Sequence, residues 1–323
     1  MPSVHLWLDS KGSLVHVVDV SWESSQHPRG QPENAGEFAP KGGGASGHTS
    51  AEKTPNGFKA KGGGELPAHI AKLRIPPAWK DVTYSEDPQA PLQVTGKDAA
   101  GRTQYVYSES HAAKQAAAKF ARIKTLDAKL STIRLQNEKM RKSSNPTHRA
   151  LGDVTALIMD MGVRPGSDTD TQAKVKAYGA TTLEGQHVVV MGNKVSLKFV
   201  GKKGVALDLP VEDPSLSKML RERKQAAGNN GRLFGNVNQK SLLDYVHSFG
   251  GGFKTKDFRT LVGTKTAMKE VTKVAPPANA TGYKKAVMQV AKVVAAKLGN
   301  TPTVALQSYI SPVVFAPWGN ANV

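Results

Sequence analysis

The chain has no cysteine, so disulfides, thiolate zinc sites and a cysteine nucleophile are excluded. No run reaches the roughly 18 apolar residues of a membrane span. The N-terminus lacks a basic segment followed by a long apolar core. No signal peptide is read there, and a cytoplasmic protein without membrane contact is expected. There is no glycine-rich Lys-Ser/Thr phosphate loop, and no His, Asp and Glu cluster at metal-ligand spacing, so no cofactor is expected. Acidic residues are also scarce: 26 Asp and Glu stand against 44 Lys and Arg, a formal charge of +18 over 323 residues. An excess of that size favours a polyanionic partner, most simply nucleic acid.

Residues 1–65 read as a flexible, low-complexity extension. Val4 to Leu8 and Leu14 to Val20 have the pattern of a small hairpin. Beyond Trp22 the composition turns to Gly, Pro, Ser, Asn and Lys, which buries too little apolar surface to offset ordering entropy. The stretch His27 to Lys41 is similar to short segments of phage and prophage proteins.

Residues 66–108 read as a small β-rich domain. Leu92 to Gly96 and Arg102 to Tyr107 form two strands around the basic loop that begins at Lys97. Alternation puts Arg102, Gln104 and Val106 on one face, and Thr103, Tyr105 and Tyr107 on the other. Such side chains suit phosphates and base edges as well as a half-buried strand.

Residues 109–323 read as mainly helical. His111 to Lys142 carries nine Lys and Arg against Asp127 and Glu138. That excess points to phosphate contact as well as to a solvated face. Ala150 to Met161 has a buried-helix period, closed by Gly162 and followed by Arg164. A three-strand meander over 186–211 turns at Gly192-Asn193 and at Gly201 to Gly204, which puts Lys202 at a hairpin tip. Helices are expected over 214–226 and 239–249. Thr255 is read as the N-cap of a further helix, with Arg259 in its first turns. Tyr283 to Leu298 is amphipathic and ends at Gly299. Thr301-Pro302 then opens a short helix that carries Tyr309 about two turns beyond Asn300.

In this order, Arg164, Lys202, Arg259, Asn300 and Tyr309 resemble the active-site series of the type IB DNA topoisomerases, in their short poxvirus and bacterial form. The resemblance runs from about Leu66 to Val314. It is carried by Ile75-Pro-Pro-Ala-Trp79, Thr95-Gly-Lys-Asp98, Gly101-Arg-Thr-Gln-Tyr105, Thr181-Thr-Leu183, Phe199-Val-Gly-Lys202, Lys256-Asp-Phe-Arg-Thr260, Leu298-Gly-Asn-Thr-Pro302 and Ser308-Tyr-Ile310.

The resemblance implies an α+β protein: a β-rich DNA-clamp domain, and a helical catalytic domain of the type shared with tyrosine recombinases. It implies a monomer that closes around double-stranded DNA and relaxes supercoils without ATP or metal. By the same resemblance Tyr309 is the nucleophile, Arg164 and Arg259 grip the non-bridging oxygens, Lys202 is the general acid and Asn300 is a hydrogen-bond donor. Lys97, Arg102, Gln104, Tyr105 and Tyr107 fall at duplex-contacting positions. The segment after Arg164 departs from the family pattern, with Asp168 and Asp170 near the expected phosphate site. A recombinase usually carries histidine three residues before its second arginine, where this chain has Lys256. A basic DNA-binding protein without catalysis is the remaining alternative.

Overall fold

The computed structural model describes residues 47–168 and 175–318, with the backbone alone at 7–8 and 14–15. Strands β1 (Trp7–Leu8) and β2 (Leu14–Val15) pair antiparallel, in the place expected for the small hairpin. The phage-like stretch and Asp170 lie outside the described residues. The chain divides into two compact units, residues 1–118 and 119–323.

The first unit is built on an antiparallel sheet of β3 (His48–Thr54), β4 (Gly57–Ala60), β5 (Lys80–Ser85), β6 (Leu92–Lys97) and β7 (Thr103–Tyr107), in the order β4-β3-β5-β6-β7. The short helix α1 (Ala68–Ala71) sends Ile70 into a core with Val82, Tyr84 and Val94. Trp79, Phe58 and Val106 pack around that core.

The strands at 48–60 correct the expectation of a flexible extension up to residue 65. Their sequence is polar, yet β3 pairs with β5 through His48↔Ser85 and Ser50↔Thr83. Ala51, Phe58 and Ala60 lean on the apolar cluster. Pairing against an already apolar neighbour supplies the stabilisation that the segment's own composition lacks.

The long helix α2 (Glu109–Arg141) leads into the second unit. Helix α3 (Pro146–Met161) follows, its start capped by Asn145, which accepts from the Thr147 and His148 amides. The meander of β8 (Val188–Met191), β9 (Lys194–Val200) and β10 (Ala206–Pro210) has the expected order and hairpin pairing. Five more helices complete the unit: α4 (Pro214–Ala227), α5 (Gln239–His247), α6 (Thr255–Val271), α7 (Ala280–Leu298) and α8 (Pro302–Tyr309). A 3-10 turn over Pro312–Trp318 follows. An apolar cluster runs from Ile123 and Leu126 of α2 through α3, the meander, α4 and α5 to Phe258 and Leu261 of α6, and further buried apolar residues come from α7, α8 and the 3-10 turn. Among the described residues, no helix is long and apolar enough to cross a membrane.

The charge of α2 is used differently along its length. Arg122 forms a two-pronged pair with Asp257, at 2.7 and 3.0 Å. Arg134 pairs with Asp160, and Arg141 with Asp153 and Glu138. Asp153 is also gripped by Arg223 of α4. These arginines therefore hold α2 to the unit's other helices. Lys114, Lys124, Lys129 and Lys139 remain exposed. At 3.6 residues per turn Lys114, Lys124 and Lys139 lie on the side of the helix away from Ile123, Leu126 and Ile133, and Lys129 flanks the buried face.

Candidate active site

Two helices end at the same place. Gly162 closes α3 at φ 63°, and Gly299 closes α7 at φ 60°, both in the left-handed region that a glycine enters without cost. Beyond the α7 end, the Asn300 amide bonds back to the Ala295 carbonyl at 2.9 Å. The carbonyls left over at these two termini, Gly162 O and Leu298 O, each accept from Arg259 at 2.5 Å, from Nη1 and Nη2 respectively. One guanidinium thus ties two helix C-termini together. Their partial negative charge suits a cation by up to about 2 kcal/mol where it is shielded from water.

Arg259 is 4% exposed. Burial pushes its pKa down to about 10. The neighbouring Tyr309 oxygen opposes that fall and the Arg164 charge adds to it. Arg259 stays a cation at neutral pH.

Arg164 leaves α3 two residues after Gly162. Its main chain is pinned by the 179–182 turn: the Ala180 amide donates to Arg164 O, and the Thr181 amide to Pro165 O, both at 2.7 Å. The Thr181 hydroxyl adds a second bond to Pro165 O. From there the Arg164 side chain reaches across to Asn300, donating from Nη2 to Oδ1 at 3.2 Å.

Helix α8 brings Tyr309 into this cluster. Its ring lies 4.9 Å from the Arg259 guanidinium carbon and 5.8 Å from that of Arg164. The tyrosine main chain is held on both sides: the Thr264 hydroxyl donates to Tyr309 O and accepts from the Ser311 amide, both at 3.2 Å. Lys119 of α2 donates to the Ser308 carbonyl at 3.4 Å. Gly263 makes the close approach possible. A Cβ there would lie 2.7 Å from the Tyr309 carbonyl oxygen and 3.0 Å from its Cβ. Gly263, Thr264 and Lys119 are positioning residues that the sequence reading missed. An isolated glycine inside a helical pattern is the one signal that could have flagged this close approach.

Among the described residues, two buried side-chain polar atoms have no hydrogen-bond partner: Arg259 Nε and Asn300 Nδ2. Both are donors, and both belong to this cluster. A buried donor left unmade costs about 1–3 kcal/mol. Two of them in the cluster that holds one tyrosine are what an incoming anionic oxygen would satisfy.

Comparisons with known proteins give the family. Residues 108–311, more than half of the chain, match the family model of the eukaryotic DNA topoisomerase I catalytic core. Residues 60–98 match that of the bacterial DNA topoisomerase IB N-terminal domain. The chain belongs to the type IB DNA topoisomerases.

Among its relatives is the DNA topoisomerase 1B of Acanthamoeba polyphaga mimivirus, 30% identical over 261 residues, which are 75% of this chain and 76% of the viral one. The DNA topoisomerase I of monkeypox virus and the DNA topoisomerase 1B of vaccinia virus are each 23% identical over 278 residues, 81% of this chain and 85% of theirs. This topoisomerase is an enzyme of the isomerase class, and its family acts on DNA.

The catalytic-core match includes all five residues read from the sequence. The structure joins Arg164, Arg259, Asn300 and Tyr309. Lys202 is exposed on the 3-10 turn Lys202–Gly204 between β9 and β10. The two acids after Arg164 fare differently, since Asp168 is paired with Arg232 and Asp170 is not described.

In the sheet unit, Lys97 pairs with Asp81 at 3.0 Å, and Arg102 with Asp98 at 2.7 Å. Gln104 also donates to Asp98, at 3.0 Å. The Arg102 hydrogen bond holds the Asp98 carboxyl below the usual carboxylate range. Tyr105 is 8% exposed, a packing side chain of the sheet more than a surface one. Tyr107 stacks on His111 with ring centroids 5.1 Å apart. Burial, with a smaller contribution from Tyr105, pushes its hydroxyl pKa up to about 12, so it remains a neutral donor.

Proposed function

We propose that this enzyme relaxes supercoiled DNA by cutting and rejoining one strand through Tyr309. The Tyr309 oxygen attacks a backbone phosphorus as the bond to the 5′-oxygen breaks. The products are a 3′-phosphotyrosine and a free 5′-hydroxyl. The phenolic proton passes to water, and Lys202 gives a proton to the departing 5′-oxygen. The tyrosyl ester conserves the energy of the broken diester, so the 5′-hydroxyl reseals the strand by the reverse step.

The observation that carries this reading is the pair of unpartnered donors in the tyrosine's cluster. Arg259 Nε and Asn300 Nδ2 are buried, and the side chain of the first is held by two helix ends. They cost little to reorganise when charge develops on a phosphoryl oxygen. Arg164, fixed by its bond to Asn300, supplies a second guanidinium. Two of the five Arg259 N–H donors go to protein carbonyls. Nε–H and one N–H on each terminal nitrogen are left for the phosphate, and Arg164 adds a second planar fork. Asn300 donates without carrying a proton or a charge.

Outside the centre, a single chain engages duplex DNA with both of its units. Lys97 and Arg102 are tied in solvent-exposed pairs of small worth, which phosphates can replace. Gln104 and Tyr107 add neutral donors.

The test is relaxation of supercoiled plasmid in excess chelator without ATP. The wild type relaxes it, and Tyr309→Phe binds duplex with unchanged affinity but relaxes none. Equal relaxation by the two proteins would sink the assignment.

A further inference from the structure

The general acid proposed above sits on a hairpin, and a hairpin tip needs something to aim it. Leu207 of β10 fills that need. A Cβ placed on Gly201 would meet Leu207 Cδ1 at 2.9 Å, and one placed on Gly299 would meet Leu207 Cδ2 at 2.1 Å. The two methyls of one side chain therefore press on two glycine backbones. Gly201 immediately precedes Lys202, and Gly299 immediately precedes Asn300. Neither glycine has a side chain that would hold Leu207 away.

The rest of the hairpin reinforces the link. Leu207 faces Phe199 in the β9–β10 register. The turn is closed by the Gly201 amide on Val205 O at 2.8 Å and the Gly204 amide on Gly201 O at 3.1 Å. On its far side Gly299 is locked by the α7 cap, whose last carbonyl is held by Arg259. Leu207 is thus the apolar bridge between the exposed turn that carries Lys202 and the rigid junction that carries Asn300.

We infer that Leu207 is a positioning residue for leaving-group protonation: it docks the Lys202 turn against Gly299 and so registers the ammonium with the phosphate held by Arg164, Arg259 and Asn300. This rests on the proposed role of Lys202. Leu207 does not touch the reacting atoms, so its signature must differ from that of a residue that merely supports the fold. A proton is needed by an alkoxide leaving group and far less by a thiolate. A defect in aiming the acid should therefore vanish when the 5′-bridging oxygen is replaced by sulfur, whereas general damage to the site should not.

The experiment measures single-turnover cleavage of a duplex carrying a trapped cleavage site, made with either a 5′-bridging oxygen or a 5′-bridging sulfur. The proteins are the full-length wild type, Lys202→Ala, Leu207→Ala and Leu207→Val. Valine suits a strand and only shortens the side chain that reaches Gly299, so this variant tests the idea even if the alanine variant folds poorly. Lys202→Ala should slow cleavage of the oxygen ester by about 10²-fold or more. A displaced acid costs up to about 10²-fold. Leu207→Ala should approach that figure, Leu207→Val should fall short of it, and all three variants should cleave the sulfur substrate within about twofold of wild type. If Lys202→Ala is rescued by sulfur and the Leu207 variants are equally slow on both substrates, the Leu207 inference fails and the acid assignment stands. If the Leu207 variants cleave the oxygen ester at the wild-type rate, the inference likewise fails. Absence of rescue for Lys202→Ala itself overturns the acid assignment and the inference with it.

Discussion

Arg259 has two jobs that a lysine could not share. Two of its nitrogens hold helix ends, and the third is left buried without a partner. The sequence foretold the residue and its helix, but not the cap: the N-cap is Lys254 and not Thr255, and the Asp257 carboxylate closes the helix start by accepting from the Lys254 amide. It did not foretell the carbonyls, which meet only when α3 and α7 terminate side by side.

Gly263 shows the same limit more sharply. In a helix interior, glycine to alanine is ordinarily worth about 1 kcal/mol of added stability. Here the new methyl would sit 2.7 Å from the Tyr309 carbonyl oxygen. Gly263→Ala should therefore slow strand cleavage by about 10²-fold, the cost of a displacement near 1 Å, while duplex binding is retained. Single-turnover cleavage beside a binding titration reads this. A variant that melts higher and cleaves at the normal rate would show that the fit around Gly263 is slack.

At the scale of elements, helix periods, caps and turn residues made most of the second unit legible. The α7–α8 junction and the meander lie where glycines, Thr301-Pro302 and the apolar spacing put them. What escaped was context. Strands β3 and β4 carry too few apolar residues to announce themselves; β3 exists through pairing with β5, and β4 through pairing with β3. Arg122 looks solvated because its acidic partner is distant in sequence, Arg122 and Asp257 being 135 residues apart.

That pair carries a prediction. Asp257 is 0% exposed, and it also accepts from the Lys254 amide at the start of α6. Arg122→Ala leaves a buried carboxylate without its cation, which costs about 3–5 kcal/mol. Thermal melting should show a large loss for Arg122→Ala. The more exposed Arg134–Asp160 pair is worth no more than about 1 kcal/mol, so Arg134→Ala should barely shift the melt. Equal shifts would mean that the Arg122 pair is not the bracket described.

Across the whole molecule, the formal charge of +18 was the earliest pointer to DNA, and it was too coarse. Part of it is internal wiring. The exposed lysines 114, 124, 129 and 139 of α2 are among the cations that can meet phosphates. Changing all four to glutamine should flatten the log–log salt dependence of duplex binding by roughly 0.9 for every phosphate that is no longer neutralised, with melting unchanged. An unaltered slope would place the electrostatic footprint elsewhere.

The central claim is chemical, and one measurement reaches it directly. Wild-type enzyme is mixed with plasmid, quenched with detergent during turnover and digested with nuclease, and the peptide left carrying nucleotide is sequenced by mass spectrometry. The account predicts a nucleotide joined through its 3′-phosphate to Tyr309. A nucleotide on any other side chain, or one joined through a 5′-phosphate, would contradict it.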